Sequence, residues 1–369
     1  MINLSFFLIL LGINQGFYFL KFGLFFLIGL FNFRILSKEL NILFILIIIF
    51  GVLLQNSHSA FFQFNIRNFH AYPLFEMIIF PFMLSQFSYN LTLTKNFNII
   101  LVSKIFVILT LIFIVLQSFF PQLGYFLYKH NILEYPRLYK EIARTGYQGI
   151  AAQPGISSSE FYMSAYMSML VPLSFGKKIK PFLIISYRYL LTFMSVVISI
   201  ISTSRGLLLA LLLGLSRSKI YVSIIIIIPG LIVFFLQGIE YFKSLDLVYY
   251  TSGDFERYTY FYEGIKLFLN NPLGESNLNT FGDLYESWPH NFIIIFLLVY
   301  GIDFLIVLIY FYFILKKLSI YIILAILGGF MSAIFHNMSP FFLNWPFWVI
   351  LGYGLAERNL INEKNSSYN

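Results

Sequence analysis

The chain contains no cysteine in 369 residues. Disulfides, thiol nucleophiles and cysteine metal sites are therefore excluded. Charge is also scarce: Asp, Glu, Lys and Arg make up 11% of the sequence, against about 25% in ordinary soluble domains. Acidic residues are the scarcer sign, leaving a net charge of +8. Most of the basic residues fall between apolar runs, where they set membrane orientation, so nucleic acid is not an expected partner. Alternation of apolar and polar residues at period two is missing, which argues against an outer-membrane barrel. The first twenty residues lack a positive n-region and a small-residue cleavage site, so the start reads as an uncleaved first span. No internal repeat, linker or soluble domain stands out.

What is present is apolar sequence almost from end to end. Hydrophobic residues make up 59%, and the mean hydropathy is +0.82. The expected fold class is all-α: a polytopic membrane protein forming a single integral-membrane domain over 1–369. Crossing the hydrocarbon layer takes about 20 apolar residues. About twelve transmembrane helices are predicted, near 3–15, 17–34, 40–55, 74–91, 97–117, 159–176, 181–202, 205–218, 219–237, 290–314, 318–336 and 340–356. Five basic connections alternate along this order: Arg34 with Lys38, Lys95, Lys177–Lys178–Lys180, Arg217 with Lys219, and Lys316–Lys317. All five fall on one side if both termini are cytoplasmic.

Two longer polar stretches then lie on the outer side as periplasmic loops, 118–158 and 238–289. In the first, Pro136 opens a short helix that stops at Gly146, with Arg137, Lys140 and Arg144 along one stripe. In the second, DFERYTYFYEGIKLFLNNP is expected to start with Asp254 as N-cap and to end at Pro272. Phe255, Tyr258, Tyr262, Ile265 and Leu269 form its apolar face, with Arg257 off that stripe. Both helices are expected to lie over the bundle. Within the spans, Asp303 falls at about the same depth as Arg188 and Lys104, and the expectation is a structural ion pair.

The chain has only five histidines, and one of them, His290, follows Pro289 at the outer start of a span. In the first turn of a helix the macrodipole disfavours imidazolium, which keeps the ring neutral and able to take a proton. Alone, His290 reads equally as an anchor beside Trp288. STSRG (residues 202–206) opens a short span on the same face, where helix N–H groups and Arg205 suit an anion; a snorkelling arginine is the plainer alternative. Arg144 and Arg257 can bind phosphate oxygens bidentately or simply decorate solvated helix faces. Glu160, at another outer helix start, complements a dipole or contacts substrate. Together on one face, these residues suit transfer from a lipid-linked diphosphate. The arginines would hold the leaving diphosphate, and His290 would accept the proton of an attacking hydroxyl. Tyrosines of the 238–289 loop could stack on sugars.

ERYTYFYEGIKLFLNNPLGE followed by PHNFIIIFLLVYGI resembles the C-terminal signature of the O-antigen polymerase and O-antigen ligase superfamily. That signature combines an arginine-led amphipathic helix, an Asn-Pro-Leu-x-Gly-like turn, and His-Asn before an apolar run closed by glycine. STSRG resembles that family's Ser-Arg-Gly helix start, and RTGYQGIAAQPG resembles an arginine–ten residues–glycine element of polymerase loops. The resemblance spans about 137–302. It implies an inverting, metal-independent glycosyltransferase of GT-C-like fold in the bacterial inner membrane, with no cofactor. It also implies Arg205 and Arg257 on undecaprenyl diphosphate and His290 as base; Asn291, Glu160 and Tyr258 are expected near substrate. The expected partners are a lipid-linked oligosaccharide donor and acceptor, membrane lipid and a possible chain-length regulator protein. Val299 stands where ligases often carry an acid, and Arg144 to Gly155 favours a polymerase. The family alternative is a ligase acting on lipid A–core. The alternative from another class is a flippase, which would call for more polar residues along a path through the bilayer.

Overall fold

Long apolar runs with few prolines leave the backbone one economical way to satisfy its own N–H and C=O groups, the α-helix. A computed structural model describes residues 2–11, 18–49, 79–94, 97–120, 126, 160–174, 247–273, 293–294, 297–298, 301–302, 304–334 and 345–366. In chain order the helices are α1 (Ile2–Leu10), α2 (Tyr18–Phe31), α3 (Lys38–Ile48), α4 (Phe80–Leu93) and α5 (Ile99–Phe119). There follow α6 (Glu160–Ser174), α7 (Leu247–Asn270), α8 (Phe304–Leu315), α9 (Ile320–Ile334) and α10 (Trp345–Ser366). The described residues contain no strand, and every element among them is α-helical. Among them no helix is both long and apolar enough to cross a membrane. Pro81 and Pro346 fall in the first turns of α4 and α10, where a missing N–H costs nothing. Pro172 lies inside α6, two residues before its end.

The chain divides into two interleaved units. The first takes Met1–Phe33, Leu91–Gly238 and Ser319–Ser332; the second takes Arg34–Asn90, Ile239–Leu318 and Ala333–Asn369. In the first unit α1 packs on α2 and α5, and α5 packs on α6. Phe6 is fully buried and meets Phe97 edge-on at 5.5 Å and Phe25 at 6.3 Å, the geometry that aromatic quadrupoles favour. Gly329 of α9 lies against Met169 of α6, so that a methyl group there would come within 3.1 Å of its sulfur. Lys104 is buried in α5; its expected partners Asp303 and Arg188 lie outside the described residues.

In the second unit α3 packs on α8, with Phe44 stacked on Phe82 at 4.1 Å. Helices α4 and α10 run in the same direction. Phe80 meets Trp345, the Gly352 backbone lies against that of Ser85, and Ser88 Oγ donates to the Val349 carbonyl at 2.6 Å. The 32–37 connection has no ladder of its own, and amide side chains of α4 replace one. Asn90 Oδ1 accepts from the backbone N–H groups of Arg34 and Ile35, both at 3.0 Å. Gln86 Oε1 accepts from Ser37 N at 3.0 Å and its Nε2 donates to Asn41 Oδ1 at 2.8 Å. Backbone donors of the connection, among them the buried Ser37 N–H, are thus paired without regular structure.

Candidate functional site

Two places in the second unit carry its polar and close-packed chemistry. The first lies where α3 begins, α8 ends and α10 nears its end. Glu39 accepts a 2.8 Å hydrogen bond from Arg358 Nη2 and lies 3.8 Å from Lys317 Nζ. Asn359 extends the network, accepting from Arg358 at 2.8 Å and donating to Tyr89 Oη at 2.7 Å. Burial alone would raise the Glu39 carboxyl. The hydrogen bond and charge of Arg358, helped by Lys317, outweigh it and hold the carboxyl below its ordinary value. The sequence reading missed this hub. Its signal was Glu39 itself, the one acid beside the basic connections Arg34–Lys38 and Lys316–Lys317.

The second place is a joint between α7 and residues 293–302. Two expectations for α7 are corrected. Asp254 does not cap it: the helix begins at Leu247, because the residues before Asp254 continue the helix instead of ending a loop. Its apolar stripe is not the face it packs on. Tyr262 and Leu269 are 59% and 67% exposed, whereas Gly264 is buried. A methyl group on Gly264 would overlap Ile294 Cγ2 and touch Leu298 Cδ1 at 3.8 Å. Glycine wins this face because it lets two backbones approach more closely than any apolar side chain permits. The exposed side instead carries Lys266, paired at 3.5 Å with Glu263.

Helix α7 ends at Asn270, just before the expected stop at Pro272, and the turn after it does more than stop a helix. The Pro272 carbonyl accepts a 2.8 Å hydrogen bond from Ile302 N–H. Gly301 there has φ +64°, and a Cβ on it would sit 2.5 Å from the Pro272 oxygen and Leu273 carbonyl carbon. The predicted span 290–314 is therefore interrupted at 301–302, since glycine adopts the left-handed conformation that ends a helical run. Contacts progress from 264 with 294 and 298 to 272 with 302, so α7 and the described residues among 293–302 run side by side in the same direction.

Of the site residues named from sequence, Arg257 and Tyr258 lie in α7 and Glu160 is the first residue of α6. His290, Asn291, Arg205 and Arg144 lie outside the described residues. Compared with protein-family models, curated proteins and solved structures, the chain matches none.

Proposed function

We propose that the chain is a multi-pass protein of the bacterial inner membrane that polymerises lipid-linked oligosaccharide repeats at the periplasmic face. An acceptor sugar hydroxyl attacks the anomeric carbon of the donor glycan. Its proton passes to His290, the new C–O bond forms with inversion, and the anomeric carbon–oxygen bond to undecaprenyl diphosphate breaks. Arg205, Arg257 and Arg144 hold the departing diphosphate through bidentate hydrogen bonds.

The observation that carries this reading is the α7 joint. The Pro272–Leu273 turn, near the end of the motif's first segment, and Gly301, near the end of its second, are in direct contact. Arg257 precedes Gly264 by seven residues, two helical turns, and so shares its face. His290 precedes Ile294 by four and Leu298 by eight. For a helix running from His290, that spacing gives the histidine the face turned to Gly264. The proposed site takes Arg257 and His290 to lie near one another across this joint. For the membrane reading, support comes from the basic ends. Glu39 gathers Lys317 and Arg358, and the last turn of α4 clamps the Arg34 connection. Connections predicted to share a side thus meet at one end of the second unit, as the positive-inside rule requires.

The experiment is an assay with purified chain and purified lipid-linked repeats. The wild type yields a ladder of lengthened glycans without lipid A–core, and His290→Ala, still inserted and folded, loses about 100-fold or more of the rate. Product only when lipid A–core is supplied identifies a ligase instead. Because the chain has no cysteine, Arg257→Cys with His290→Cys forms the sole possible intramolecular disulfide. Oxidation that leaves both thiols free while a Gly264→Cys, Ile294→Cys pair cross-links would separate the arginine from the histidine and sink the shared site.

A further inference from the structure

We infer that the basic end of α8 binds the headgroup of an anionic phospholipid whose acyl chains lie along the outward face of that helix. The inference rests on the membrane reading above but not on the transfer chemistry. Helix α8 packs inward through Val307, Phe311 and Ile314, which are 0–3% exposed. Its opposite face carries Leu305, Ile306, Ile309, Tyr312 and Phe313, each 44–56% exposed. At about 1.5 Å per residue that stripe extends about 12 Å, most of one hydrocarbon leaflet. The same stripe, continued by one turn, reaches Lys316, whose ammonium lies 4.6 Å from the centre of the Tyr312 ring and 6.0 Å from that of Phe313. A lysine over aromatic rings at the end of an apolar stripe holds its charge at the level where the apolar face ends.

Charge around that point is not balanced. Glu39 is taken by Arg358 at 2.8 Å. Lys317 reaches the same carboxylate only at 3.8 Å and is 52% exposed. Lys38, next to Glu39 in the chain, is exposed as well. Among these described residues, Glu39 against Arg358, Lys317, Lys316 and Lys38 leaves three positive charges at the foot of an apolar stripe. A phosphodiester with a net negative headgroup complements that excess, and a zwitterionic choline headgroup does not. Free phosphate would meet the charge but leave the stripe bare.

The test is native mass spectrometry of the purified full chain in micelles carrying equimolar phosphatidylglycerol and phosphatidylcholine. Each lysine near an anionic surface contributes about fivefold in partition. The wild type should therefore retain phosphatidylglycerol over phosphatidylcholine by at least that factor, and Lys316→Gln should lower the preference about fivefold. Equal retention of the two lipids by the wild type overturns the inference, and does so even if the variant fails to accumulate. Displacement of bound lipid by glycerophosphoglycerol, which lacks acyl chains, would overturn the role of the stripe. Release of the chain from membranes by alkaline carbonate would refute the membrane reading itself, and no sugar-transfer assay enters either result.

Discussion

At the start of α3, a carboxylate collects Arg358 and Lys317 and hands hydrogen bonds on through Asn359 to Tyr89. At the other end of α8, about 18 Å of helix away, Gly264 and Gly301 let backbone meet side chain and backbone. The first place is held by what its side chains add, and the second by what its residues leave out. A polar hub fails when a partner is removed, because a charge is left facing a less polar environment. A glycine joint fails when atoms are inserted, because neither packed backbone can yield. The two should respond oppositely to truncation and enlargement.

The largest effect is expected at Gly301. Valine there meets both a left-handed φ and the Pro272–Leu273 carbonyls, for a cost on the order of 3 kcal/mol or more. Gly301→Val should accumulate poorly, and what survives should have a thermal midpoint in detergent well below that of the wild type. A wild-type midpoint would mean that the 301–302 interruption does not exist in the protein. Gly264→Leu should come next, with a cost of about 1–3 kcal/mol. Its informative readout is activity per folded molecule, since the proposed site depends on α7 staying against residues 294 and 298. Folded protein with undiminished glycan lengthening would detach the joint from the chemistry.

At the hub the sign is reversed, and truncation does the damage. Arg358→Ala should cost about 1.5–3 kcal/mol while leaving transfer per folded molecule unchanged. Protonation should act in the same way. The Glu39 carboxyl is held below its ordinary 4.5 in the folded protein, so its ion pairing contributes in full above that value. The contribution fades as the pH falls through the lowered folded value. Wild type should therefore lose more stability than Glu39→Gln between pH 6 and the acid limit, and parallel stability–pH curves would remove Glu39 from the hub.

These contrasts also show what the sequence could disclose. Helical class and the end of α7 just before Pro272 were legible because each has a local cause: apolar runs and a missing N–H. The packed face of α7 was not, since hydropathy ranks Tyr262 and Leu269 as the face to bury and gives glycine no weight. The extra turns before Asp254 were hidden by a residue type that favours caps but also tolerates helix interiors. Gly301 sits in an apolar run whose composition predicts continuity; only its contact with a turn some thirty residues earlier explains the interruption. The site named from sequence rests on His290, Arg205 and Arg144, outside the described residues, and only Arg257 can be tied to observed packing through Gly264.

The smallest effect tests whether the hub is a network or one strong pair. Lys317 approaches Glu39 at 3.8 Å from a half-exposed position, and such pairs contribute about 0–1 kcal/mol. Arg358 is one-fifth exposed and donates at 2.8 Å, so it carries most of the attraction. Lys317→Ala should accordingly shift the thermal midpoint far less than Arg358→Ala. The double variant should differ from Arg358→Ala by no more than about 0.5 kcal/mol. A Lys317 effect as large as that of Arg358 would mean that the 3.8 Å contact closes in the protein. The positive charge left over beside α8 would then shrink by one, and the preference for anionic lipid would weaken with it.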